Sequence, residues 1–149
     1  MPKKSLHMET TSISVIKTCS EIEEILSGNG VTRIWKDFDG TGNIEGISFI
    51  LPVNGENIPF KLPFRWESIQ QLADQGKTGY KKTADENQAR KVAARIVLRW
   101  VEAQFALIEV GMAAVDEVFL PYVVDGSGTT FYESLKPKGG ILALKQGKQ

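Results

Sequence analysis

The sequence predicts an α+β domain in which a three-stranded antiparallel β-meander packs on one long amphipathic helix, with additional short helices. Two observations predict this fold. Three extended segments follow one another at residues 31–39, 43–53 and 57–64, joined by short turns that contain glycine and asparagine. Further along the chain, apolar residues recur at steps of three and four, which is the period of a helix. This stripe is wide enough to cover one face of the sheet, so we expect helix and sheet to form the core.

Length and composition fit one domain. The 149-residue chain is 42% hydrophobic, and its 18 basic residues balance 18 acidic ones, so any electrostatic function must be local. We divide the chain into a loose N-terminal arm (1–17), a single domain (18–135) and a flexible C-terminal tail (136–149). Cys19 is the only cysteine, and no apolar run reaches the roughly 18 residues that a membrane span needs. We therefore expect a cytoplasmic protein with no membrane partner.

The first helix is predicted over residues 19–28. Thr18 and Glu21 have the spacing of a capping box, and the GNG run that starts at Gly28 is a helix stop. The apolar residues of this segment share one helix face: Ile22, Ile25 and Leu26. Residues 10–16 are rich in strand-favouring types, which is typical of an edge strand or of a loosely held arm.

The three extended segments form the predicted sheet. Asn54 and Gly55 favour the type I′ turn of a tight hairpin between the second and third strands. Alternation places six apolar side chains on one sheet face: Ile47, Phe49, Leu51, Ile58, Phe60 and Leu62. Pro59 and Pro63 cannot donate backbone hydrogen bonds, so we expect the third strand at an edge of the sheet.

The longest helix follows a short helix at residues 66–74 and a polar loop. Thr83 and Glu86 predict a capping box at its start. Its main apolar stripe is built from residues at helical spacing: Ala89, Val92, Ala93, Ile96, Trp100, Ala103 and Leu107. A second apolar set widens the stripe in the later half: Val101, Phe105 and Ile108. Thr130 and Glu133 predict a further capping box, which opens a last short helix.

Charge is unevenly distributed along the chain. Residues 61–100 carry nine basic residues and four acidic ones, whereas residues 101–135 carry six acidic residues and no basic one. Three cations share a face of the long helix at steps of four, and a basic loop precedes that helix. The candidate phosphate-binding residues are Lys77, Lys81, Lys82, Lys91, Arg95 and Arg99, with Tyr80 placed to stack on a base. Alternatively, these cations solvate the outer side of the helix and pair with Asp85, Glu86 and Glu102.

Two resemblances follow from these segments. The runs FKLPF, QARKVAARIVLRWVEAQFALIE and VDEVFLPYV, within residues 18–135, resemble a family of small uncharacterised proteins encoded by bacteriophages and integrated mobile elements. This resemblance implies a bacterial host cell and no particular activity. The order helix, three strands, helix, with GYKKTADENQARKVAA opening the last helix, is similar to double-stranded RNA-binding domains. That similarity implies phosphate contacts by Lys81 and Lys82, with Lys77 nearby, although residues 64–76 insert a helix that those domains lack.

Catalytic and cofactor-binding groups are scarce. His7 is the only histidine and lies in the arm, and Cys19 has no histidine partner in an ordered region, so we identify no catalytic residue and no cofactor. Asp37, Asp39 and Glu45 cluster near one turn, where carboxylates are able to bind magnesium for phosphodiester chemistry. The same stretch is ordinary Asp-Gly turn chemistry, and we assign no metal ligand to it.

A protein-binding or self-assembling module is the remaining functional class. Aromatic residues are numerous for a domain of this size, and we expect a partner to bind at residues 117–124, through Phe119, Leu120 and Tyr122. The alternative role of this segment is a strap that packs back on the long helix. The sequence thus predicts a small non-enzymatic, phage-related accessory protein that binds DNA or RNA through the basic loop and helix face. A protein-binding module without nucleic-acid contact is the first alternative, and metal-dependent phosphodiester chemistry at residues 37–45 is the second.

Overall fold

The computed structural model describes residues 6–77 and 85–146. In chain order its elements are α1 (Val15–Ser27), β1 (Arg33–Phe38), β2 (Ile44–Val53), β3 (Glu56–Pro63), α2 (Trp66–Asp74), α3 (Glu86–Glu109), α4 (Val115–Phe119), α5 (Phe131–Leu135) and α6 (Leu142–Gln146). Short 3-10 turns follow α4 at Leu120–Tyr122 and α5 at Lys136–Lys138. None of the helices in these two ranges has the length and apolarity that crossing a bilayer requires.

The strands form an antiparallel sheet in the order β1, β2, β3, which confirms the predicted meander and the α+β fold. β3 lies at an edge, as its two prolines predicted. The turn that joins it to β2 places Asn54 and Gly55 at φ values of 52° and 84°, the left-handed conformation that a type I′ turn requires. At the outer edge of β3, the carbonyl of Pro59 accepts a hydrogen bond from the backbone N–H of Val124 at 3.0 Å. The chain after α4 therefore covers part of that edge.

One face of the sheet carries the core. Phe49 and Phe60 lie opposite each other in the β2–β3 register, and their rings stack at 5.3 Å. Phe119 of α4 is fully buried, with its ring centroid 5.7 Å from both. Trp100 and Phe105 of α3 contact the same ring at 5.5 and 5.4 Å. The segment around Phe119 therefore joins the sheet to the long helix.

The buried face of α3 differs from the predicted stripe in the later half of the helix. Ala103 is exposed, and Trp100 and Leu107 are only half-buried. The residues that are buried there lie to one side of the stripe: Leu98, Val101 and Phe105. Phe119 contacts Phe105 on this side and Trp100 on the predicted stripe. Two residues of the set that was predicted to widen the stripe, Val101 and Phe105, are thus better buried than Trp100 and Leu107 of the main stripe.

The start of α1 corrects the prediction for the N-terminal region. The helix begins at Val15, and its N-cap is Ser14, whose hydroxyl accepts the backbone N–H of Lys17 at 3.1 Å. Thr18 lies inside the helix and is buried, so the predicted Thr18 capping box is wrong. No strand forms among residues 10–16.

The caps of two later helices show one correction and one confirmation. The N-cap of α3 is Asp85, whose carboxylate accepts the backbone N–H of Asn87 at 3.0 Å. Thr83, the predicted cap, lies outside the described residues. Thr130 and Glu133 form the predicted capping box at the start of α5, with reciprocal hydrogen bonds of 3.0 and 3.2 Å.

Gln88 attaches the N-terminal segment to α3. The side chain of Gln88 is buried, and its amide Nε2 donates to the backbone carbonyls of Glu9 and Thr11 at 3.0 and 2.9 Å. Leu6 also packs against the core. The described residues that precede α1 therefore lie against the domain.

Candidate nucleic-acid interface

The sheet has a second face, opposite the core, which we call the outer sheet face. It carries a different set of side chains. Alternation along each strand places nine residues on it: Arg33, Trp35 and Asp37 of β1, Gly46, Ser48 and Ile50 of β2, and Pro59, Lys61 and Pro63 of β3. In the part of the chain that the structure describes, the hydrophobic core contains none of these residues. The outer sheet face is therefore a surface with its own chemistry rather than a second side of the core.

Trp35 lies halfway along β1, an edge strand, on the outer sheet face. It pairs with Ser48, which pairs with Lys61, so these three residues form one row across the strands. Since neighbouring strands are about 4.8 Å apart, the backbones of Trp35 and Lys61 are roughly 10 Å apart. Arg33 begins the next row. Trp35 is 43% exposed and Arg33 is exposed. An indole ring thus lies at the surface with a cation on two sides.

The residues beside Trp35 form a low floor. Ser48 is buried, and its hydroxyl donates to a carboxylate oxygen of Asp37 at 2.7 Å. Gly46 lies next to Ser48 on this face, and a Cβ at this position would come within 2.9 Å of the backbone oxygen of Leu62. Because glycine is needed for this close approach, no side chain rises from the position. The face therefore offers a flat base on which an aromatic ring can lie against Trp35.

The prediction that α3 presents a basic face to phosphates is wrong at Arg95, the central residue of that face. Arg95 is buried, and its guanidinium pairs with Glu21 of α1 and lies 3.4 Å from the hydroxyl of Thr18. Lys91 is half-buried, and Arg99 is exposed with an ion pair to Glu102 at 2.7 Å. Arg95 therefore holds α1 against α3 and does not face a phosphate backbone. The pairing of Arg99 with Glu102 follows the alternative interpretation of this face.

The predicted basic loop lies mostly outside the described residues. Tyr80, Lys81 and Lys82 fall between the two described ranges, and their predicted contacts with nucleic acid stay predictions. Lys77 is described and is exposed.

The predicted partner-binding segment divides into buried and exposed residues. Phe119 is fully buried, so the expectation that it contacts a partner is wrong, because four rings of the core already surround it. Tyr122 is half-buried, with its ring 5.4 Å from Trp100. Leu120 is exposed. This arrangement is that of the alternative role, a strap on the long helix.

The carboxylates of the 37–45 turn are engaged by protein groups. Asp39 accepts hydrogen bonds from the hydroxyl and backbone N–H of Thr41 at 2.6 and 2.8 Å, and its second oxygen accepts from Arg90 at 2.8 Å. Hydrogen bonds from Thr41, with a further one from Arg90, lower the pKa of Asp39 from 3.8 to about 2. Within residues 6–77 and 85–146, no group of three or more histidine, cysteine or acidic side chains is placed to hold a metal ion. The turn is thus organised around Arg90.

Arg90 is a structural centre that sequence analysis did not identify. It is buried, and it pairs with Glu86 one helical turn earlier as well as with Asp39. Its guanidinium carbon also lies 4.3 Å from the ring centroid of Trp66 at the start of α2. Arg90 therefore connects α3, α2 and the turn between β1 and β2.

Two further features, a buried thiol and a cleft, were considered as possible catalytic sites. Burial raises the pKa of the Cys19 thiol from 9.0 to about 11, so the thiol stays protonated and unreactive at neutral pH. A cleft of about 340 Å³ lies between β3, α2 and α3. Most of the residues that line it are apolar, and Arg65 is a charged exception. We assign no reaction to either feature.

Comparison with protein-family models, with curated proteins and with solved structures finds no match to this chain. The resemblances to phage-encoded proteins and to double-stranded RNA-binding domains therefore stay predictions.

The outer sheet face was not predicted as a site, although the sequence carried a signal for it. In RIWKDF, the run that forms β1, Arg33, Trp35 and Asp37 alternate with Ile34 and Lys36. A tryptophan on the same side as two charged residues indicates a surface aromatic side chain. Aromatic content alone does not carry this signal, because it does not distinguish the two faces of a strand.

Proposed function

We propose that the protein binds single-stranded nucleic acid on the outer sheet face, with Trp35 stacking on a base and with Arg33 and Lys61 contacting the backbone phosphates. The observation that carries this proposal is the row of Trp35, Ser48 and Lys61 on a sheet face that the core does not use. Antiparallel sheets with helices on one side and exposed aromatic residues on the other are a recurrent platform for unpaired bases.

The geometry favours a single strand over a duplex. In a duplex the faces of the bases are stacked on each other, so a ring at the protein surface reaches only an unpaired base. The low floor formed by Gly46 and Ser48 leaves room for a base beside Trp35. The cations are arranged along a line that crosses the strands, which suits an extended backbone. The predicted phosphate contacts of Lys77, Lys81 and Lys82 are a separate part of the proposal.

Fluorescence anisotropy with labelled single-stranded DNA, single-stranded RNA and duplexes of both tests this function. We expect salt-sensitive binding of the single strands. We expect the Trp35→Thr substitution to weaken this binding about 5- to 150-fold, since a base stacked on an aromatic side chain contributes about 1–3 kcal/mol. Threonine keeps the strand propensity of the position while it removes the ring. Phe38→Thr is the matched control, because Phe38 is 57% exposed in the same strand and lines a cleft with Val15 and Ile16 of α1, on the other side of the sheet.

The charge contacts are tested by the salt dependence of the same binding. Replacing Arg33 and Lys61 by glutamine removes two phosphate contacts, so the slope of log affinity against log salt concentration is expected to fall by about 0.7 for each. Lys17→Gln removes an exposed cation from α1 and is expected to leave the slope unchanged.

Three results would contradict the proposal in different ways. Absence of binding at low salt would exclude a nucleic-acid function. Binding that survives Trp35→Thr and the double glutamine variant, but is lost when Lys81 and Lys82 are reversed to glutamate, would place the site in the loop. Preference for duplex RNA would favour the similarity to double-stranded RNA-binding domains over a single-strand platform.

A further inference from the structure

The C-terminal segment of the described chain is apolar and uncovered. Ile141 is 79% exposed, and Leu142 and Leu144 in α6 are exposed as well. The segment is also basic, since residues 136–149 contain four lysines and no acidic residue. Large aliphatic residues are thus exposed at three of four successive positions, and such a concentration of exposed apolar area is typical of a binding surface.

The turn between α3 and α4 has the complementary composition. We call it the acidic corner and define it by its exposed residues: Glu109, Val110, Met112, Asp116 and Glu117. Met112 is 73% exposed, and Val110 is similarly open to solvent. The surrounding chain from residue 101 to residue 135 holds six acidic residues and no basic one.

The acidic corner is ordered before any partner arrives. Gly111 adopts a positive φ of 80°, and the backbone N–H of Met112 donates to the carbonyl of Leu107 at 2.9 Å, which closes the end of α3. The carboxylate of Glu117 accepts the backbone N–H of Ala114 at 3.1 Å. Val110 and Met112 are therefore held at the surface by the backbone of the turn.

We propose that the C-terminal segment of one copy of this chain binds the acidic corner of a second copy. The two surfaces are complementary in polarity and in charge. Each has exposed aliphatic side chains, and the C-terminal segment is basic where the acidic corner is acidic. Both surfaces belong to the same chain and both are exposed in it, so one copy leaves one of each available. This contact joins unlike surfaces, so it produces open chains or closed rings, and the smallest ring is a two-fold dimer with two reciprocal contacts.

The contact area sets the expected strength. Two or three aliphatic side chains on each partner form an interface at the small end of the range for specific complexes. The charge pairs at its rim are exposed, so they guide orientation and add little strength. Association is therefore expected to be concentration-dependent, and weaker at high salt.

A charge exchange between the two surfaces provides the test, measured by sedimentation velocity without nucleic acid. One variant carries Lys136→Glu, Lys138→Glu and Lys145→Glu, so that residues 136–149 change from four positive charges to three negative charges and one positive charge. A second variant carries Glu109→Lys and Asp116→Lys. Each variant alone then presents like charges at both surfaces and is expected to stay monomeric at concentrations where the native protein associates. An equimolar mixture restores opposite charges at every contact, so it is expected to associate again.

The apolar part of the contact has its own variant. Replacing Leu142 and Leu144 by serine is expected to abolish association without any change of charge, whereas Ile16→Ser, at an exposed position of α1, is expected to leave it intact. Thermal unfolding midpoints close to the native value would show that all these variants fold. A native protein that is monomeric at every concentration would overturn the proposal, as would a mixture of the two charge variants that fails to associate. Neither outcome bears on the outer sheet face.

Discussion

The two faces of the sheet are built from the same three strands and have opposite roles. On the core side, Phe49 and Phe60 lie under Phe119 and are buried. Lys61 directly follows Phe60 in β3, and Trp35 directly follows Ile34, the β1 partner of Phe49. Both residues lie on the outer sheet face and remain in contact with solvent. Because strand side chains alternate, a step of one residue transfers a side chain from one role to the other. Aromatic content alone therefore does not distinguish a ring of the core from a ring that is open to a ligand, whereas the face on which each ring lies does.

The same contrast holds for the cations. Arg90 and Arg95 are buried on the core side of α3, and both pair with carboxylates. Arg33 is exposed on the outer sheet face. Buried pairs connect elements of the fold, and an exposed cation is open to a ligand. Variants at these positions are therefore expected to separate stability from binding.

The largest effect on stability is expected at Phe119. Replacement of Phe119 by alanine removes a fully buried ring that contacts four others, and we expect it to lower the free energy of unfolding by about 3–5 kcal/mol. Trp35→Thr, which removes an aromatic ring from the other face, is expected to lower it by less than about 1 kcal/mol. Urea denaturation of both variants measures the difference. Equal losses for the two variants would mean that the outer sheet face is also part of the core.

A smaller but substantial effect is expected at Arg90. Arg90→Met keeps much of the side-chain volume and removes the charge, which leaves Asp39 and Glu86 without their shared partner. Breaking a buried ion pair from one side typically costs about 3–5 kcal/mol, and we expect the lower end because Glu86 is half exposed.

Arg33→Gln is the comparison for the charge. It is expected to change the free energy of unfolding by no more than about 0.5 kcal/mol, because Arg33 is exposed. Urea denaturation checks both values. If Arg90→Met lowered the free energy of unfolding as little as Arg33→Gln does, the buried ion pairs of Arg90 would make no net contribution to stability.

A pH-dependent effect is expected from protonation of Asp39. Its pKa in the folded protein is about 2, below its ordinary value of 3.8. A depressed carboxyl pKa stabilises the folded state at pH values above 3.8, and this contribution is lost as the pH falls towards 2. Asp39→Asn cannot titrate, so its thermal midpoint is expected to lie below that of the native protein at neutral pH and to approach it below pH 3.8. A constant difference across this range would show that the charge of Asp39 is not the stabilising feature.

Much of the fold was predictable because it depends on local patterns. The alternation in β2 and β3 and the Asn54–Gly55 pair specify strand, face and turn within a few residues. The buried side of α3 was less predictable, since apolar residues on two neighbouring faces fit a helical stripe equally well. Phe119, which belongs to a later segment, contacts both Trp100 and Phe105, and the helical pattern does not indicate that only Phe105 of these two is fully covered.

The charged residues were harder to interpret for a related reason. A repeat such as Lys91, Arg95 and Arg99 predicts a shared face, and it does not predict which element covers that face. Arg95 is buried because Glu21, 74 residues earlier in the chain, lies against it. Outer-face residues such as Trp35 were, in contrast, within reach of sequence analysis, because the alternation of one short strand is sufficient to place them.

The attachment of the N-terminal segment by Gln88 has a consequence for the order of events during synthesis. The carbonyl of Thr11 and the amide of Gln88 are 77 residues apart in the chain. At about 5–20 residues per second, the ribosome reaches Gln88 roughly 4–15 seconds after it has added Thr11. For that interval the residues before α1 have none of their final contacts with α3. We therefore expect the strand hairpins, whose partners are close in sequence, to form first, and the residues before α1 to join the domain only after α3 has been synthesised.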